Sequence, residues 1–328
     1  MDYDIVKKLL LKKNNIIITT HKTPDGDALG SSLALFHALK EHHNIDIIVP
    51  NEYPHNLKWL PSNNKVLIYE ENVSCSDLLI EKADLIFCLD FNKLYRTYNM
   101  LDALAKSSAY KIMIDHHEDP DLFCNQMLSD PSVCSTAELV YDFLLGIQCP
   151  LNKNVAISLY TGIITDSGSL RYPNVTHETH FKVSKLMEYN IDHSNIHKKL
   201  FDSQNKSRFE LLKICLNNLK LFKNERIALT YLMEDDLMLY SYKKGDTEGF
   251  VNLPLTIKDV YFSAFFVQFE DGIKISFRSQ GDFDVNLFAN DYFNGGGHKN
   301  AAGGFLKHRD MMEAIKYFRS VLENYLKE

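Results

Sequence analysis

Short apolar runs alternate with segments of helical length in the first half of the chain, and this alternation constrains the fold more than any other feature. The strand-like runs are, in chain order, N-I-I-I-T-T (15–20), I-D-I-I-V-P (45–50), K-V-L-I-Y (65–69), D-L-I-F-C-L (84–89) and K-I-M-I (111–114). Helices are predicted at 31–42 and at 135–145, the second opened by a Ser/Thr cap. Because strands that alternate with helices form βαβ units, we predict an α/β fold with a mainly parallel sheet and flanking helices.

Near residue 205 the alternation of strand-like and helix-like segments ends and mostly strand-like runs follow, which indicates a second, smaller domain. A polar connection is followed by a helix with an apolar stripe at 205–222 and by strand-like runs at 226–232, 261–269 and 273–279. The Asp-Gly pair between the last two runs is typical of a hairpin turn. We therefore predict an α+β second domain with an antiparallel element. The predicted boundaries are 1–188 for the first domain, 189–204 for a linker and 205–328 for the second domain.

Length and charge narrow the class of protein. A chain of 328 residues agrees with about two domains. A net charge of −7, from 43 acidic and 36 basic residues, argues against a protein that coats long nucleic acid, because such binding needs a basic face. No apolar run approaches the roughly 20 residues of a membrane span, and the N-terminus does not read as a signal peptide. The six cysteines form no C-x-x-C pair, which predicts core residues and a cytoplasmic location.

Four apolar runs end in an acidic residue or a histidine. In chain order these residues are His21, Asp25 and Asp27, then Asp90, then Asp115, His116 and His117, and finally Asp166 after a run at 155–166. In an open α/β sheet, ligands bind outside the carboxyl ends of the parallel strands. If the four runs are neighbouring strands, their polar clusters meet in one crevice. Each cluster alone also fits an ordinary turn or helix cap.

Several carboxylates in one crevice repel each other, by about 4 kcal/mol for two unit charges about 4 Å apart at an effective dielectric constant of about 20. Such a site needs raised pKa values or bound cations, and the histidines favour cations because neutral imidazole is a ligand. Carboxylate and imidazole without thiolate suit Mn²⁺, and also Fe²⁺, Co²⁺ or Zn²⁺. Two such ions can activate water and neutralise a phosphoryl group, so we predict hydrolysis at phosphorus.

A glycine-rich segment near the other end reads F-N-G-G-G-H-K-N-A-A-G-G (293–304) and matches neither common nucleotide-binding fingerprint. Three consecutive glycines let backbone N–H groups approach an anion, and His298 and Lys299 add positive or hydrogen-bonding groups. The small residues that follow indicate a packed loop, which favours an anion site over a flexible turn. Arg278, at the end of a strand just upstream, fits either an exposed cation or a partner of this site.

Together these motifs resemble the DHH phosphoesterase superfamily. H-K-T-P-D-G-D from His21, the single Asp90, D-H-H from Asp115 and T-D-S-G around Asp166 match its four motifs in order and context. The segment G-G-G-H-K-N-A-A-G resembles the substrate-binding domain associated with this family. The resemblance covers about residues 15 to 305, and the layout is most similar to the nano-RNase and pAp-phosphatase branch. Where T-D-T-G is frequent in the fourth motif, this chain has T-D-S-G, a mild departure.

The resemblance implies a catalytic first domain that binds two metal ions, usually Mn²⁺. One ion would be held by His21, Asp25 and Asp90. The second would be held by a set that shares Asp90, namely Asp27, Asp90, His116 and Asp166. His117 would face the substrate, and Asp115 would orient an imidazole. The implied substrate-binding residues are Arg278, Ser279, Gly295, Gly296, Gly297, His298, Arg171 and Arg96.

The implied reaction is attack of a metal-bridged hydroxide on phosphorus. It would release nucleoside monophosphates from short oligonucleotides or dinucleotides such as pApA, and the 3′-phosphate from pAp. The acidic surface offers no track for long strands, and the resemblance leaves room for a homodimer.

Other functions stay open at this point. An inorganic pyrophosphatase or exopolyphosphatase, or a cyclic-dinucleotide phosphodiesterase, would use a similar metal site. The G-G-G-H segment argues against the pyrophosphatases, and the length argues against a RecJ-type exonuclease with its further domain. A catalytically silent nucleotide-binding module is the alternative from another class, and the complete set of ligand positions argues against it.

Overall fold

The computed structural model of the chain describes residues 1–307 and 310–325. The chain divides into two compact units, residues 1–203 and residue 204 onward. Within the described residues, every helix is too short or too polar to cross a membrane.

One parallel sheet forms the centre of the first unit. Its strands are β1 Asn15–Thr19, β2 Asn44–Val49, β3 Val66–Ile68, β4 Leu85–Leu89, β5 Tyr110–Asp115 and β6 Gln126–Ser129. All neighbours pair in parallel, in the order β3-β2-β1-β4-β5-β6. The prediction of a mainly parallel sheet is therefore confirmed. The strand order reverses between β1 and β4, and such a switch point is where open α/β sheets bind ligands.

Helices flank this sheet, as predicted. They are α1 Tyr3–Leu10, α2 Gly26–Leu39, α3 Val73–Glu81, α4 Leu101–Lys106, α5 Thr136–Gly146, α6 Lys153–Asp166, α7 His177–Met187 and α8 His193–Phe201. Strand β4 shows why both faces are covered, because all five of its residues are buried. Leu85, Phe87 and Leu89 pack in one hydrophobic core, whereas Ile86 and Cys88 pack in another. An unbroken apolar run is the pattern of a parallel strand with helices on both sides.

The run at 155–166 was expected to be a neighbouring strand that ends at Asp166, and this expectation is wrong. These residues belong to α6, whose first N–H groups are capped by the Asn152 side chain. Most of the helix is buried, so its sequence is apolar on nearly every side, and periodicity cannot separate a buried helix from a buried strand. Asp166 therefore lies at the carboxyl end of a helix.

Helices α2 and α6 approach each other at glycines. A Cβ atom on Gly30 would lie 2.6 Å from Ser158 O and 2.8 Å from Gly162 N, and one on Gly162 would lie 2.9 Å from Asp27 Oδ1. Real Cβ atoms do not make contacts this short, so the helices can cross this closely only at glycine. The crossing places Asp27, in the first turn of α2, directly against α6.

Residues 189–203 of the predicted linker are part of the first unit, and residue 204 begins the second. This part of the linker contains α8, in which Ile196 and Leu200 are buried in the main core of the first unit. The polar composition suggested a linker, but two apolar residues four positions apart are enough to hold one face of a short helix against a core.

The second unit contains a mixed, mostly antiparallel sheet. Its strands are β7 Lys220–Phe222, β8 Ile227–Leu232, β9 Phe262–Phe269, β10 Gly272–Ser279, β11 Gly296–His298 and β12 Ala301–Lys307. Their order is β11-β12-β10-β9-β8-β7, and β8 and β9 pair in parallel. The helices are α9 Lys206–Asn217, α10 Glu234–Leu239, α11 Val285–Phe293 and α12 Met311–Tyr325. The predicted α+β fold is confirmed.

The predicted hairpin joins β9 and β10. Phe269 pairs with Gly272, so Glu270 and Asp271 form the two-residue turn and the glycine opens the next strand. A Cβ atom on Gly272 would lie 2.5 Å from Leu306 O, which explains why a glycine stands there.

Candidate metal centre

Three of the four polar clusters follow adjacent strands of the parallel sheet. His21 comes two residues after β1, Asp90 directly after β4, and His116 directly after β5. Their side chains therefore emerge at the same edge of the sheet, beside the reversal of strand order between β1 and β4. Asp166 reaches the same place from the end of α6 and lies 3.3 Å from His116, measured from Oδ2 to Nε2.

His21, Asp25 and Asp90 form one half of the cluster. His21 Nε2 lies 3.3 Å from Asp90 Oδ2 and 4.0 Å from Asp25 Oδ2. The other ring nitrogen of His21, Nδ1, donates to Lys22 O at 2.8 Å. In the neutral ring this bond leaves the Nε2 lone pair directed at the two carboxylates. Asp25 also caps α2, because its Oδ1 accepts from Asp27 N and Ala28 N.

His116, Asp27 and Asp166 form the other half, and Asp90 touches both halves. His116 Nε2 lies 3.7 Å from Asp90 Oδ1, whereas the second oxygen of Asp90 faces His21. His116 Nδ1 approaches Val133 O at 3.4 Å, the same orientation by a backbone carbonyl as for His21. Donor atoms of Asp27, His116 and Asp166 all lie within 4.8 Å of one another.

Asp27 is held by the N-terminus of α5. Its Oδ2 accepts from Thr136 N at 2.6 Å and its Oδ1 from Ala137 N at 2.9 Å. Free N–H groups at a helix N-terminus stabilise a negative charge. The backbone of α5 and the glycine of α6 therefore fix this carboxylate from two sides.

Thr136 is a site residue that the sequence motifs did not reveal. Its hydroxyl donates to Asp90 Oδ1 at 2.9 Å, while its backbone N–H binds Asp27. One residue thus holds a carboxylate from each half of the cluster. The S-T-A-E sequence predicted the helix and its cap, and Ser135 is indeed the N-cap. What the cap faces could not be read from this stretch alone.

Asp115 lies beside His117 rather than among the carboxylates of the cluster. His117 Nδ1 donates to Asp115 Oδ1 at 2.7 Å, and His117 N donates to Asp115 Oδ2 at 3.1 Å. Asp115 is completely buried. Both adjacent histidines lie near Asp90 Oδ1, His116 through Nε2 at 3.7 Å and His117 through Nδ1 at 3.8 Å. They differ in their other partner, because His116 also faces Asp166 whereas His117 is fixed by Asp115.

Burial and mutual repulsion perturb the pKa values in the cluster. Burial raises the pKa of Asp27 well above its ordinary value, and the negative charges of Asp90 and Asp166 raise it further. The pKa of Asp166 is raised in the same way by burial and by Asp25 and Asp90.

The pKa of Asp90 moves in the opposite direction. Burial alone would raise it, but the hydrogen bond and charge of His21 and the charges of His117 and His116 lower it below its ordinary value. Burial lowers the pKa values of His21 and His116, but the carboxylates around them together outweigh it and raise both pKa values. These carboxylates are Asp90 and Asp25 for His21, and Asp90, Asp27 and Asp115 for His116.

The donor set fits divalent cations. Two imidazole lone pairs, each oriented by a backbone carbonyl, face carboxylate oxygens at 3.3 Å, a contact that is repulsive unless a proton or a cation lies between them. The raised pKa values of Asp27 and Asp166 report the same surplus of negative charge. Oxygen and nitrogen donors without thiolate suit Mn²⁺ and similar first-row ions.

In the second unit, Arg278 and His298 lie in one row across three strands. Both pair with Ala301, Arg278 from β10 and His298 from β11. Residues directly opposite each other in a sheet share a face, so these two side chains flank the small Ala301. Ser279 lies on the other face, where its hydroxyl donates to Phe283 O and accepts from Asn300 Nδ2.

The G-G-G-H segment is an edge strand and not the packed loop that the sequence suggested. Gly296, Gly297 and His298 form β11, and all three are exposed. Gly297 N donates to Asn286 Oδ1 at 2.8 Å, so this N–H already has a partner. Gly295 follows α11, and a Cβ atom there would collide with Gly303 O. These glycines permit close strand pairing, a role that composition alone did not separate from anion binding.

Arg96 and Arg171 both lie in the first unit. Arg96 O accepts from Lys22 N at 2.7 Å, and the charge of Arg96 opposes protonation of His21, which places it near the cluster. Arg171 is exposed, and its Nε donates to Gly168 O at 2.7 Å, just after Asp166 in sequence.

Comparisons with known proteins agree with this architecture. A model of the DHH family, N-terminal domain, matches residues 15–163, and a model of the DHHA1 domain matches residues 235–327. The bifunctional oligoribonuclease and PAP phosphatase NrnA of Thermus thermophilus is 30% identical over 303 residues, which cover 92% of this chain and 87% of the relative. The protein of the same description from Bacillus subtilis is 28% identical and covers 92% of both chains.

A solved structure agrees with the fold along the whole chain. The exopolyphosphatase-related protein from Bacteroides fragilis has a TM-score of 0.96 and 41% identity, covering 99% of this chain and 97% of that one. The matches extend across both units. The chain therefore belongs to the DHH family of metal-dependent phosphoesterases, as its motifs implied.

Proposed function

We propose that this protein hydrolyses short oligonucleotides and dinucleotides such as pApA to nucleoside monophosphates, and removes the 3′-phosphate from pAp. The observation that carries the proposal is the position of Asp90, with one carboxylate oxygen toward His21 and the other toward His116. A carboxylate in this position can serve two ions at once. The relatives described as oligoribonuclease and PAP phosphatase, which match 92% of the chain, support the choice of substrate.

The proposed metal ligands fall into two groups that share one residue. His21, Asp25 and Asp90 would hold one divalent cation, and Asp27, Asp90, His116 and Asp166 would hold a second, Mn²⁺ by preference. Such cations lower the pKa of a water molecule and neutralise the negative charge of phosphoryl oxygens. The ligand residues are mostly buried and held in place by the surrounding chain. Their negative charges would balance the positive charges of the two cations.

His117 is proposed to act on the leaving group. Because its Nδ1 donates to the buried Asp115, Nε2 is the nitrogen that would face the substrate. The Asp115 carboxylate holds the ring in place, so that Nε2, when it carries a proton, can donate it to the leaving oxygen. A positioned general acid of this kind contributes about 10²- to 10⁴-fold to the rate.

Arg278 and His298 are proposed to bind the terminal phosphate or nucleotide of the substrate. Their shared row across β10, β12 and β11 supports this role, because Ala301 between them leaves room above the sheet. Arg278→Ala should raise KM for nucleotide substrates and leave kcat nearly unchanged, as expected for lost ground-state binding. Arg319→Ala, at an exposed arginine of α12 in the same unit, is the matched control.

A panel of substrates tests the proposal. The purified protein is assayed with MnCl₂ on pAp, pApA, cyclic di-AMP, a five-residue RNA, single-stranded DNA, polyphosphate and pyrophosphate. We expect turnover of pAp, pApA and the short RNA that EDTA abolishes. Turnover of pyrophosphate or polyphosphate alone would refute the proposal.

Hydrolysis of polyphosphate is the second candidate function. The structure of an exopolyphosphatase-related protein, 41% identical along almost the whole chain, favours it. The same panel decides between the two, because a polyphosphatase would not depend on a nucleoside. Cyclic di-AMP in the panel tests the dinucleotide phosphodiesterase that the motifs also allow.

A further inference from the structure

Lys22 is fixed beside the metal centre by its backbone and by an aromatic ring. It directly follows His21, and its carbonyl accepts from His21 Nδ1 at 2.8 Å. Its own N–H donates to Arg96 O at 2.7 Å. The ammonium group lies on the face of Tyr98, with Nζ 3.6 Å from the ring centroid. Both the backbone and the charge of Lys22 are therefore placed by residues 96–98.

This lysine does not neutralise the acidic cluster next to it. Asp25 is three residues away and its side chain is 57% exposed, so an ion pair between the two would be easy to form. Yet Lys22 makes no ion pair with any carboxylate in the part of the chain that the structure describes. The exposed ammonium is held on a neutral ring instead, a cation–π contact that keeps its charge available.

Tyr98 adopts an unfavourable backbone conformation that the core does not explain. Its φ is 54° and its ψ is −114°, a combination favoured by glycine. Thr97 and Met100 nearby are fully buried and anchor the segment, but Tyr98 itself is 54% exposed. A glycine would make the same turn without strain. Residues with strained backbone conformations of this kind are concentrated at functional sites.

We propose that Lys22, held in place by Tyr98, binds a phosphate group of the substrate other than the one that is hydrolysed. This inference rests on the proposed function, in which the acidic cluster and its cations take the scissile phosphate. A lysine ammonium is a common phosphate ligand that acts as a point charge. Lys22 directly follows His21, a predicted metal ligand, and a dinucleotide or bisphosphate carries a second phosphate next to the scissile one. The ammonium covers one ring face, which disfavours base stacking there.

The test compares substrates that differ in the number and position of their phosphates, of which ApApA also carries one more adenosine. ApA has the scissile phosphate alone, pApA adds one on the 5′ side, and ApApA adds one on the 3′ side. Lys22→Met removes the charge and keeps most of the side-chain length. We expect KM for pApA, for ApApA or for both to rise about tenfold, with kcat and the KM for ApA nearly unchanged. The substrate that responds identifies the phosphate that Lys22 binds.

Variants of Tyr98 separate a binding role from a structural one. Tyr98→Gly relieves the strained conformation, so it should raise the Tm of the protein while it raises KM for the same substrate as Lys22→Met. Tyr98→Phe retains the ring and should retain KM. Phe181→Ala is the matched control, because Phe181 is also 54% exposed and lies under a lysine, Lys185, at 5.7 Å on α7.

Two results would overturn the inference. One is an unchanged KM for all three substrates in Lys22→Met, and the other is an equal rise for all three, ApA included. A higher Tm with unchanged KM in Tyr98→Gly would likewise show that Tyr98 forms the turn but has no role in substrate binding. Failure of the proposed function looks different, since the wild-type protein would then hydrolyse none of these substrates.

Discussion

Asp90 combines an unusual backbone conformation with a central position among the charged groups. Its φ is 64°, in the left-handed region, which aspartate tolerates better than most residues. Asp90 N donates to Ile114 O at 3.0 Å, so the chain turns while still bonded to the neighbouring strand. The turn lets the carboxylate face both imidazoles instead of following the strand direction.

Substitution of Asp90 should remove binding of both proposed cations. In Asp90→Ala we expect loss of metal-dependent turnover and loss of the rise in Tm that Mn²⁺ gives the wild-type protein, because ligand binding stabilises the native state. Thermal unfolding with and without MnCl₂ measures this independently of activity. Asp121→Ala, at an exposed aspartate, serves as control. A normal Mn²⁺-induced rise in Asp90→Ala would contradict the shared-ligand role.

Thr136 should influence metal binding through the residues it positions. Thr136→Val removes the hydroxyl that binds Asp90 and keeps the backbone N–H that binds Asp27. We expect kcat to fall about tenfold and the Mn²⁺ concentration for half-maximal activity to rise. Loss of a side chain that hydrogen-bonds a metal ligand typically lowers metal affinity or activity about 10- to 100-fold. Thr136→Ser, which retains the hydroxyl, should behave nearly as wild type. A purely structural role would lower Tm and leave the Mn²⁺ dependence unchanged.

The sequence located most of these residues because acidic and histidine clusters stand directly after apolar runs. The carboxyl ends of parallel strands meet at one edge, so the position along the chain implied the position in space. Thr136 escaped this reasoning, since its bond to Asp27 joins residues 109 positions apart. Nothing in a local motif reveals which side chain a helix N-terminus will face.

At the scale of elements, α6 marks the limit of prediction from a single sequence. Short apolar runs bounded by polar residues suit strands and predicted β1 to β5, whereas β6 was not predicted. The run at 155–166 is equally apolar, and only its length of 12 residues favoured the helix that forms there. Asp166 nevertheless lies 3.3 Å from His116, because α6 ends at the same edge of the sheet as β4 and β5.

The close crossing of α2 and α6 should depend on Gly162. In Gly162→Ala the new methyl group would lie 2.6 Å from Ala137 Cβ and 2.9 Å from Asp27 Oδ1. We expect a loss of about 1–3 kcal/mol in the free energy of unfolding. Displacement of Asp27 should also weaken metal binding. Urea unfolding and Mn²⁺ titration measure the two effects, and Asn154→Ala, at an exposed position of α6, should change neither.

A buried ion pair joins α5 to α7 behind the metal centre. Lys182 Nζ lies 3.3 Å from Glu138 Oε2 and 2.7 Å from Asp142 Oδ2, and Glu138 Oε1 also accepts from Thr179 Oγ1 at 3.0 Å. Glu138 lies in the first turn of the helix whose N-terminus binds Asp27. The pair therefore fixes the element that positions a proposed ligand.

Removing one partner of this pair should cost more than removing both. Lys182→Met leaves Glu138 buried without its cation, and we expect the free energy of unfolding to fall by about 3 kcal/mol. The double variant Lys182→Met with Glu138→Leu should recover part of this loss, since no buried charge remains. Chemical denaturation of the three proteins measures both steps. Equal stability of the two variants would show that the pair contributes little.

For the whole molecule, composition indicated a second domain but gave the wrong structure for the segment before it. The change near residue 205 from alternating strands and helices to mostly strand-like runs lies at the start of the second unit. The polar residues before it form α8 of the first unit and not a free connection. A homodimer and a cytoplasmic location stay predictions. Size-exclusion chromatography with light scattering would test the first, and imaging of the tagged protein in its host would test the second.

The proposed ligands are spread from His21 to Asp166, over β1, β4, β5, α2 and α6. Contacts between such distant positions form late in folding, since long loops must close first. A cation can therefore find its ligands only after most of the first unit has reached its native topology. Metal should then slow unfolding and leave the refolding rate nearly unchanged. Stopped-flow kinetics with and without EDTA would show this as a shift confined to the unfolding limb, so metal supply would set the lifetime of the folded protein rather than its rate of formation.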